Sequence, residues 1–133
     1  MYAPNDRENY VGIDVSKTQL DIAIGQEGPS WQAANTSAGI CALILRLLEH
    51  QPCMIVVEST GGLEKPLIKA LQKVTLPVAM VHPGRVRKFA AGIGWIAKTD
   101  RLDARLLAWY GFAAQPKARP KPEPACEILS ELV

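Results

Sequence analysis

Tyr10-Val11-Gly12-Ile13-Asp14-Val15-Ser16-Lys17-Thr18-Gln19-Leu20-Asp21-Ile22-Ala23-Ile24 is the stretch that decides the fold. Val11, Ile13 and Val15 recur at the period of a strand, and Leu20 to Ile24 supplies a second strand-like run after the connection Ser16 to Gln19. Two short apolar runs joined by a polar link predict an antiparallel hairpin. The first run also carries an acid, Asp14, at its end. A carboxylate behind a buried strand is costly unless it is paired or bound to a cation, so the start of the sheet is also the start of a candidate site.

Outward from the hairpin, Trp31 to Thr36 reads as a third strand, and Ser37 is expected to cap a helix carrying Ile40, Leu43, Ile44, Leu47 and Leu48, stopped at His50-Gln51-Pro52. Met54-Ile55-Val56-Val57-Glu58 is apolar without alternation, as a strand buried on both faces should be, and it too ends in an acid. Gly61-Gly62 turns into a second helix near Leu63 to Val74, followed by a strand from Val78 to Val81 and the turn His82-Pro83-Gly84. From Val86 the chain reads as helix, broken around Gly92 to Gly94 and resuming near Thr99. The order β-β-β-α-β-α-β-α predicts an α/β fold: a mixed five-stranded sheet with helices on both faces, in the ribonuclease H-like (RuvC-like) topology. First and fourth strands are neighbours there, so Asp14 and Glu58 approach near their ends. Asp100 and Asp103, three apart, are expected to share one helical face turned toward them. Four converging carboxylates form an all-oxygen set suited to Mg²⁺, with Mn²⁺ as a substitute.

Composition narrows the class. A length of 133 residues with 48% hydrophobic content fits one domain with a core that needs no disulfides. Cys41, Cys53 and Cys126 show no Cys-x-x-Cys spacing, which suits reduced thiols and argues against a zinc site. Apolar stretches fall well short of the roughly 18 residues of a membrane span, and the first nine residues lack a signal-peptide core. A cytoplasmic protein without membrane attachment is expected. The net charge of +2 is unevenly spread: residues 1–83 sum to −2, residues 84–105 to +4, and residues 106–133 balance. The basic block surrounds Asp100 and Asp103, and cations beside carboxylates are what drawing a polyanion to a metal site requires. Arg85, Arg87, Lys88 and Lys98, with Lys17, are the candidate nucleic-acid contacts.

Three stretches, Gly12-Ile13-Asp14-Val15-Ser16-Lys17, Val57-Glu58-Ser59-Thr60-Gly61-Gly62, and His82 to Ala90 continuing through Lys98-Thr99-Asp100-Arg101-Leu102-Asp103-Ala104, resemble the N-terminal RuvC-like domain of DEDD insertion-sequence transposases, relatives of the Piv and MooV DNA invertases. The likeness covers residues 10–112, and each motif contributes to the acidic tetrad in order. His82 stands where that family more often has Asn, which leaves the acids untouched. The resemblance implies DNA recombination in a bacterial, nucleoid-associated setting, with Asp14, Glu58, Asp100 and Asp103 holding Mg²⁺ as catalytic and metal-binding residues. It further implies a nucleophilic serine in a separate C-terminal domain, an element-encoded guide RNA and a homo-oligomer. The expected organisation is a flexible tail over 1–9, a catalytic domain over 10–114, and a Pro-rich linker over 115–133 that enters a helix leading to the missing domain.

Duller readings accompany each feature. Ser59 and Thr60 lack a nucleophile elbow and a base, which favours turn or cap roles, and His82 reads as a turn residue. Trp109 to Phe112 fits a core or a partner interface, whereas Trp95 is the better candidate for nucleic-acid or interface contact. Alternative functions are a structure-specific RuvC-like nuclease acting on Holliday junctions, a fragment of an actin-like or sugar-kinase-type ATPase, and a nucleic-acid-binding module without catalysis. Against the ATPase, the chain holds one such domain and no Walker A pattern.

Overall fold

The computed structural model describes residues 7–95 and 103–120. Its strands are β1 (Tyr10–Val15), β2 (Gln19–Ile24), β3 (Ser30–Ala34), β4 (Met54–Glu58) and β5 (Val78–Val81). The helices are α1 (Ser37–His50), α2 (Lys65–Lys73), α3 (Pro83–Gly92) and α4 (Ala104–Ala114). The sheet order is β3-β2-β1-β4-β5. β1 pairs antiparallel with β2 and parallel with β4; β2 and β3 are antiparallel, β4 and β5 parallel. This is the mixed sheet that the sequence predicts, with β1 beside β4.

Strand alternation sorts the side chains onto two cores. Val11, Ile13 and Val15 of β1 pack with Ile55 and Val57 of β4 beneath Leu43 and Leu47 of α1 and Leu67 and Leu71 of α2. On the other face Val56 and Val81 meet Val86 and Ala90 of α3 and Leu106 and Leu107 of α4. Every residue of β1 is buried, as expected of a strand covered on both sides.

Several boundaries differ from the sequence reading. Ordered chain begins before Tyr10: Arg7–Asn9 form a 3-10 turn with Asn9 buried, while residues 1–6 of the expected tail lie outside the described residues. Thr36, not Ser37, caps α1, its hydroxyl accepting from the Gly39 amide at 3.1 Å, so β3 ends at Ala34. α3 starts at Pro83, ahead of the expected Val86, because His82 caps it through Nδ1, which accepts from the Gly84 amide at 2.9 Å. α4 starts at Ala104, not near Thr99. After α4, Arg119 donates its amide to the Val78 carbonyl at 2.8 Å, so the segment of the expected linker up to Pro120 runs along the edge of β5.

Gly12 sets how closely α4 lies on the sheet. A Cβ there would strike the carbonyl oxygen of Ala104 and stand 2.7 Å from the Ala108 amide nitrogen. Those are backbone atoms of the helix, so only glycine permits this approach. At the far end, Gly111 of α4 sits against Val56 in the same manner.

Candidate metal centre and nucleic-acid face

The register of β1 against β4 pairs Gly12 with Val56 and Ile13 with Val57. One further step sets Asp14 beside Glu58 on adjacent strands, which in sheets lie about 4.8 Å apart. Both share the parity of Val56 and therefore occupy the face covered by α3 and α4. Asp14 is buried at 9% exposure and Glu58 is half-buried. The end of the sheet where parallel strands finish is where sites of α/β proteins form.

Asp103 reaches this end as the N-cap of α4. Its backbone is extended (φ −127°, ψ 172°), and its Oδ1 accepts from the Leu106 amide at 2.8 Å. A short acidic side chain that satisfies a free N–H of the first turn favours this cap geometry over helical backbone. Asp103 is therefore not on a helical face, and the expected shared face with Asp100 does not hold for it. Asp100 and Lys98 lie outside the described residues. Asp14 and Asp103 line an open cavity of about 720 Å³ together with Asp21, Trp31, Gln32 and Arg105, while Glu58 lies on the β4 side of Asp14.

Asp21 was not anticipated as a site residue. It faces Asp14 directly across the hairpin and accepts from the Gln19 side-chain amide at 3.0 Å. The signal was present: a connection that pairs Val15 with Leu20 must pair Asp14 with Asp21. Like charges directly opposite on a sheet destabilise it, and a cation relieves that repulsion. Nor does the sequence reading single out Arg105, whose guanidinium donates to three backbone carbonyls at the end of β2 and in the β2–β3 turn.

Among the described residues no three His, Cys, Asp or Glu side chains form a ready metal set. Mg²⁺ does not demand one, since it retains several waters and takes one or two carboxylates together with substrate phosphate oxygens. Asp14 beside Glu58 fits that requirement, and the donors are all oxygen, which favours Mg²⁺ or Mn²⁺ over zinc.

The basic residues divide. Arg85 and Lys88 are exposed on α3, whose N-terminus follows directly from β5 at the Glu58 end of the sheet, and Arg87 is exposed on the same helix. Lys17 instead lines a groove between α1 and α2 with Leu45, Leu63 and Val74. Trp95 packs edge-on against Trp109 with centroids 5.0 Å apart. Phe112 and Tyr110 make similar contacts with Tyr10 and Phe89, consistent with a core role.

Thr60 is a loop residue: its hydroxyl donates to Glu64, which also accepts from the Gly62 amide at 3.0 Å. Glu64 is buried at 4% exposure. Burial alone would raise its pKa, yet the hydrogen bonds from Thr60 and the backbone outweigh it and hold the carboxyl below its ordinary value.

A family model described as a transposase, of the DEDD type named for IS110, matches residues 11–133. The chain belongs to this DEDD transposase family. Two pilin gene-inverting proteins, from Moraxella lacunata and Moraxella bovis, are each 28% identical over 116 residues, covering 82% of this chain and 36% of theirs. The chain thus spans about a third of the length of those relatives. Among solved structures, T. thermophilus RuvC in complex with a Holliday junction substrate superposes with a TM-score of 0.57 at 16% identity, covering 82% of this chain and 98% of that one. That likeness establishes the RuvC-like, ribonuclease H-type fold of this DEDD transposase domain. No helix among the described residues is long and apolar enough to cross a membrane.

Proposed function

We propose that this chain is the metal-dependent catalytic domain of a DNA transposase or site-specific recombinase, with Asp14, Glu58, Asp100 and Asp103 as its ligands. The observation that carries this reading is the β1–β4 register, which sets Asp14 beside Glu58 beneath the helix capped by Asp103. The family membership and the gene-inverting relatives support DNA as substrate. The RuvC neighbour, captured on a branched DNA, is consistent with it.

In this mechanism Asp14 and Glu58 would hold the ion from the sheet and Asp103 from the N-cap of α4, with Asp100 as the fourth ligand. A bound Mg²⁺ stabilises negative charge that develops on the scissile phosphate and lowers the pKa of an attacking hydroxyl. The acids act as ligands and not as proton carriers. Arg85, Arg87, Lys88 and Lys98 track the phosphate backbone and fix the strand relative to the carboxylates. Strand transfer requires a serine nucleophile from a domain beyond residues 10–114, joined through 115–133. A guide RNA and a homo-oligomer belong to the same reading.

Calorimetric titration of Mg²⁺ and Mn²⁺ tests this, with and without duplex DNA. Binding should be lost in Asp14→Asn and Glu58→Gln, which retain side-chain size. Undiminished metal binding by both variants would refute the assignment.

A further inference from the structure

Arg105 is the second residue of α4, and its guanidinium is committed to backbone. Nη1 donates to the carbonyls of Ile24 at 2.8 Å and Gly25 at 3.0 Å, and Nη2 donates to the carbonyl of Gly28 at 2.8 Å. Ile24 ends β2, and Gly25 and Gly28 lie in the turn that leads to β3. The same turn is also held by Glu8, whose Oε1 accepts from the amides of Gln26 at 3.0 Å and Glu27 at 3.2 Å. A turn whose amides are already bonded to Glu8 is a defined anchor for Arg105. Arg105 follows Asp103 by two residues, and the Asp103 cap bond to Leu106 spans the same helical turn. Beneath that turn, the Ala104 carbonyl fills the space left by the missing side chain of Gly12. The start of α4 is thus fixed against β1 by Gly12 and against the β2–β3 turn by Arg105. Asp103, which is exposed and makes its cap bond only to its own helix turn, inherits its place from these two contacts.

We infer that Arg105 is a positioning residue: anchored on the β2–β3 turn, it holds the first turn of α4 so that Asp103 stays over Asp14. The inference rests on the reading of these carboxylates as metal ligands. Arg105 also lines the cavity that Asp14, Asp21 and Asp103 line, with its guanidinium turned to the β2–β3 connection. The rival role is direct contact with a DNA phosphate. The geometry is against it, because three guanidinium N–H groups already point at neutral carbonyls in a fixed fork.

The test is a titration of Mn²⁺ into the full chain, unaltered and as Arg105→Gln, Arg105→Lys and Asp14→Asn, well below the melting range and with circular dichroism reporting the folded fraction. Residues that orient ligands typically cost about 10- to 100-fold in metal affinity when removed. Arg105→Gln should fall in that range. Arg105→Lys keeps the charge but not the fork and should weaken binding by roughly tenfold, deciding the matter if the Gln variant does not fold. Asp14→Asn should bind no Mn²⁺. If both Arg105 variants lower the thermal midpoint yet bind Mn²⁺ as the unaltered chain does, while Asp14→Asn loses it, the positioning role is overturned and the ligand assignment stands. If the unaltered chain binds none, or Asp14→Asn binds equally, the ligand assignment falls and the inference falls with it. A drop of about one unit in the log–log salt slope of duplex DNA binding for Arg105→Gln would assign the side chain to phosphate and also overturn the inference.

Discussion

Gly12→Ala is the sharpest available perturbation of this architecture, because one methyl group meets the helix that carries Asp103. The added Cβ would lie on the Ala104 carbonyl oxygen, 2.7 Å from the Ala108 amide nitrogen and 2.8 Å from Leu107 Cβ. Ordinary contact begins near 3.4 Å, so α4 must retreat by about 0.6–1.4 Å, and as a body, since the obstructing atoms are mainly backbone. A gap of that size forfeits a quarter to a half of the contacts across it. Leu106 and Leu107 are fully buried beneath α4, each contributing about 1.5–3 kcal/mol, so roughly 2 kcal/mol is lost there. Residual strain from overpacking adds about 1 kcal/mol or more. The expected destabilisation is about 3 kcal/mol, or a fall of roughly 10 °C in Tm for a domain of this size. Urea denaturation measures it directly, and Mn²⁺ affinity should drop in parallel because Asp103 retreats with the helix. Gly92→Ala serves as the control, since no atom lies within 4 Å of its added Cβ. A loss below about 0.5 kcal/mol for Gly12→Ala, with unchanged Mn²⁺ affinity, would refute the claim that this glycine sets the site.

In Asp14→Asn metal should no longer raise Tm, as differential scanning calorimetry would report. Glu64→Gln should cost about 1.5–3 kcal/mol at neutral pH by weakening the bonds from Thr60 and the Gly62 amide. Because the folded-state pKa of Glu64 is depressed, its contribution is full above the ordinary glutamate range and fades as pH falls through that range toward the folded value; denaturation curves from pH 7 to pH 3 should show the variant and the unaltered chain converging. Neutralising Arg85, Arg87 and Lys88 together should weaken duplex DNA binding for every sequence alike and reduce the salt slope by about two to three units; an unchanged slope would mark α3 as plain solvated surface.

The sheet was legible because its signals are local and redundant. The hairpin announced itself through period-two apolar residues on both sides of a short link, and β4 through an uninterrupted apolar run. The errors fall where one side chain chooses between two backbone states. Thr36 and Ser37 are both good caps, and only the path of β3 into α1 makes Thr36 the one with extended backbone. His82 seldom caps helices, so α3 was placed three residues late.

For the candidate site, the sequence makes the approach of the two strand acids legible and leaves the way α4 meets them illegible. Asp14 and Glu58 end strands whose neighbours are dictated by topology, so their meeting follows from element order alone. The spacing of Asp103 to Asp100 predicts a helical face, but Asp-x-x in front of an apolar helix is also the signature of a cap. The cap bond to Leu106 selects the second state, and it directs the carboxylate back along its own helix turn. Arg105 was invisible for a different reason: its acceptors are carbonyls of Ile24, Gly25 and Gly28, some eighty residues distant, and backbone acceptors carry no mark in the sequence. A carboxylate partner would have left one. Residue identity therefore nominates candidate ligands, whereas the contacts that would aim them are written in the fold. The Gly12 contact and the Arg105 clamp are of that second kind, and both act on the same first turn of α4. Substitutions at the two should accordingly be non-additive in Mn²⁺ affinity, since releasing one contact already frees the turn that the other holds.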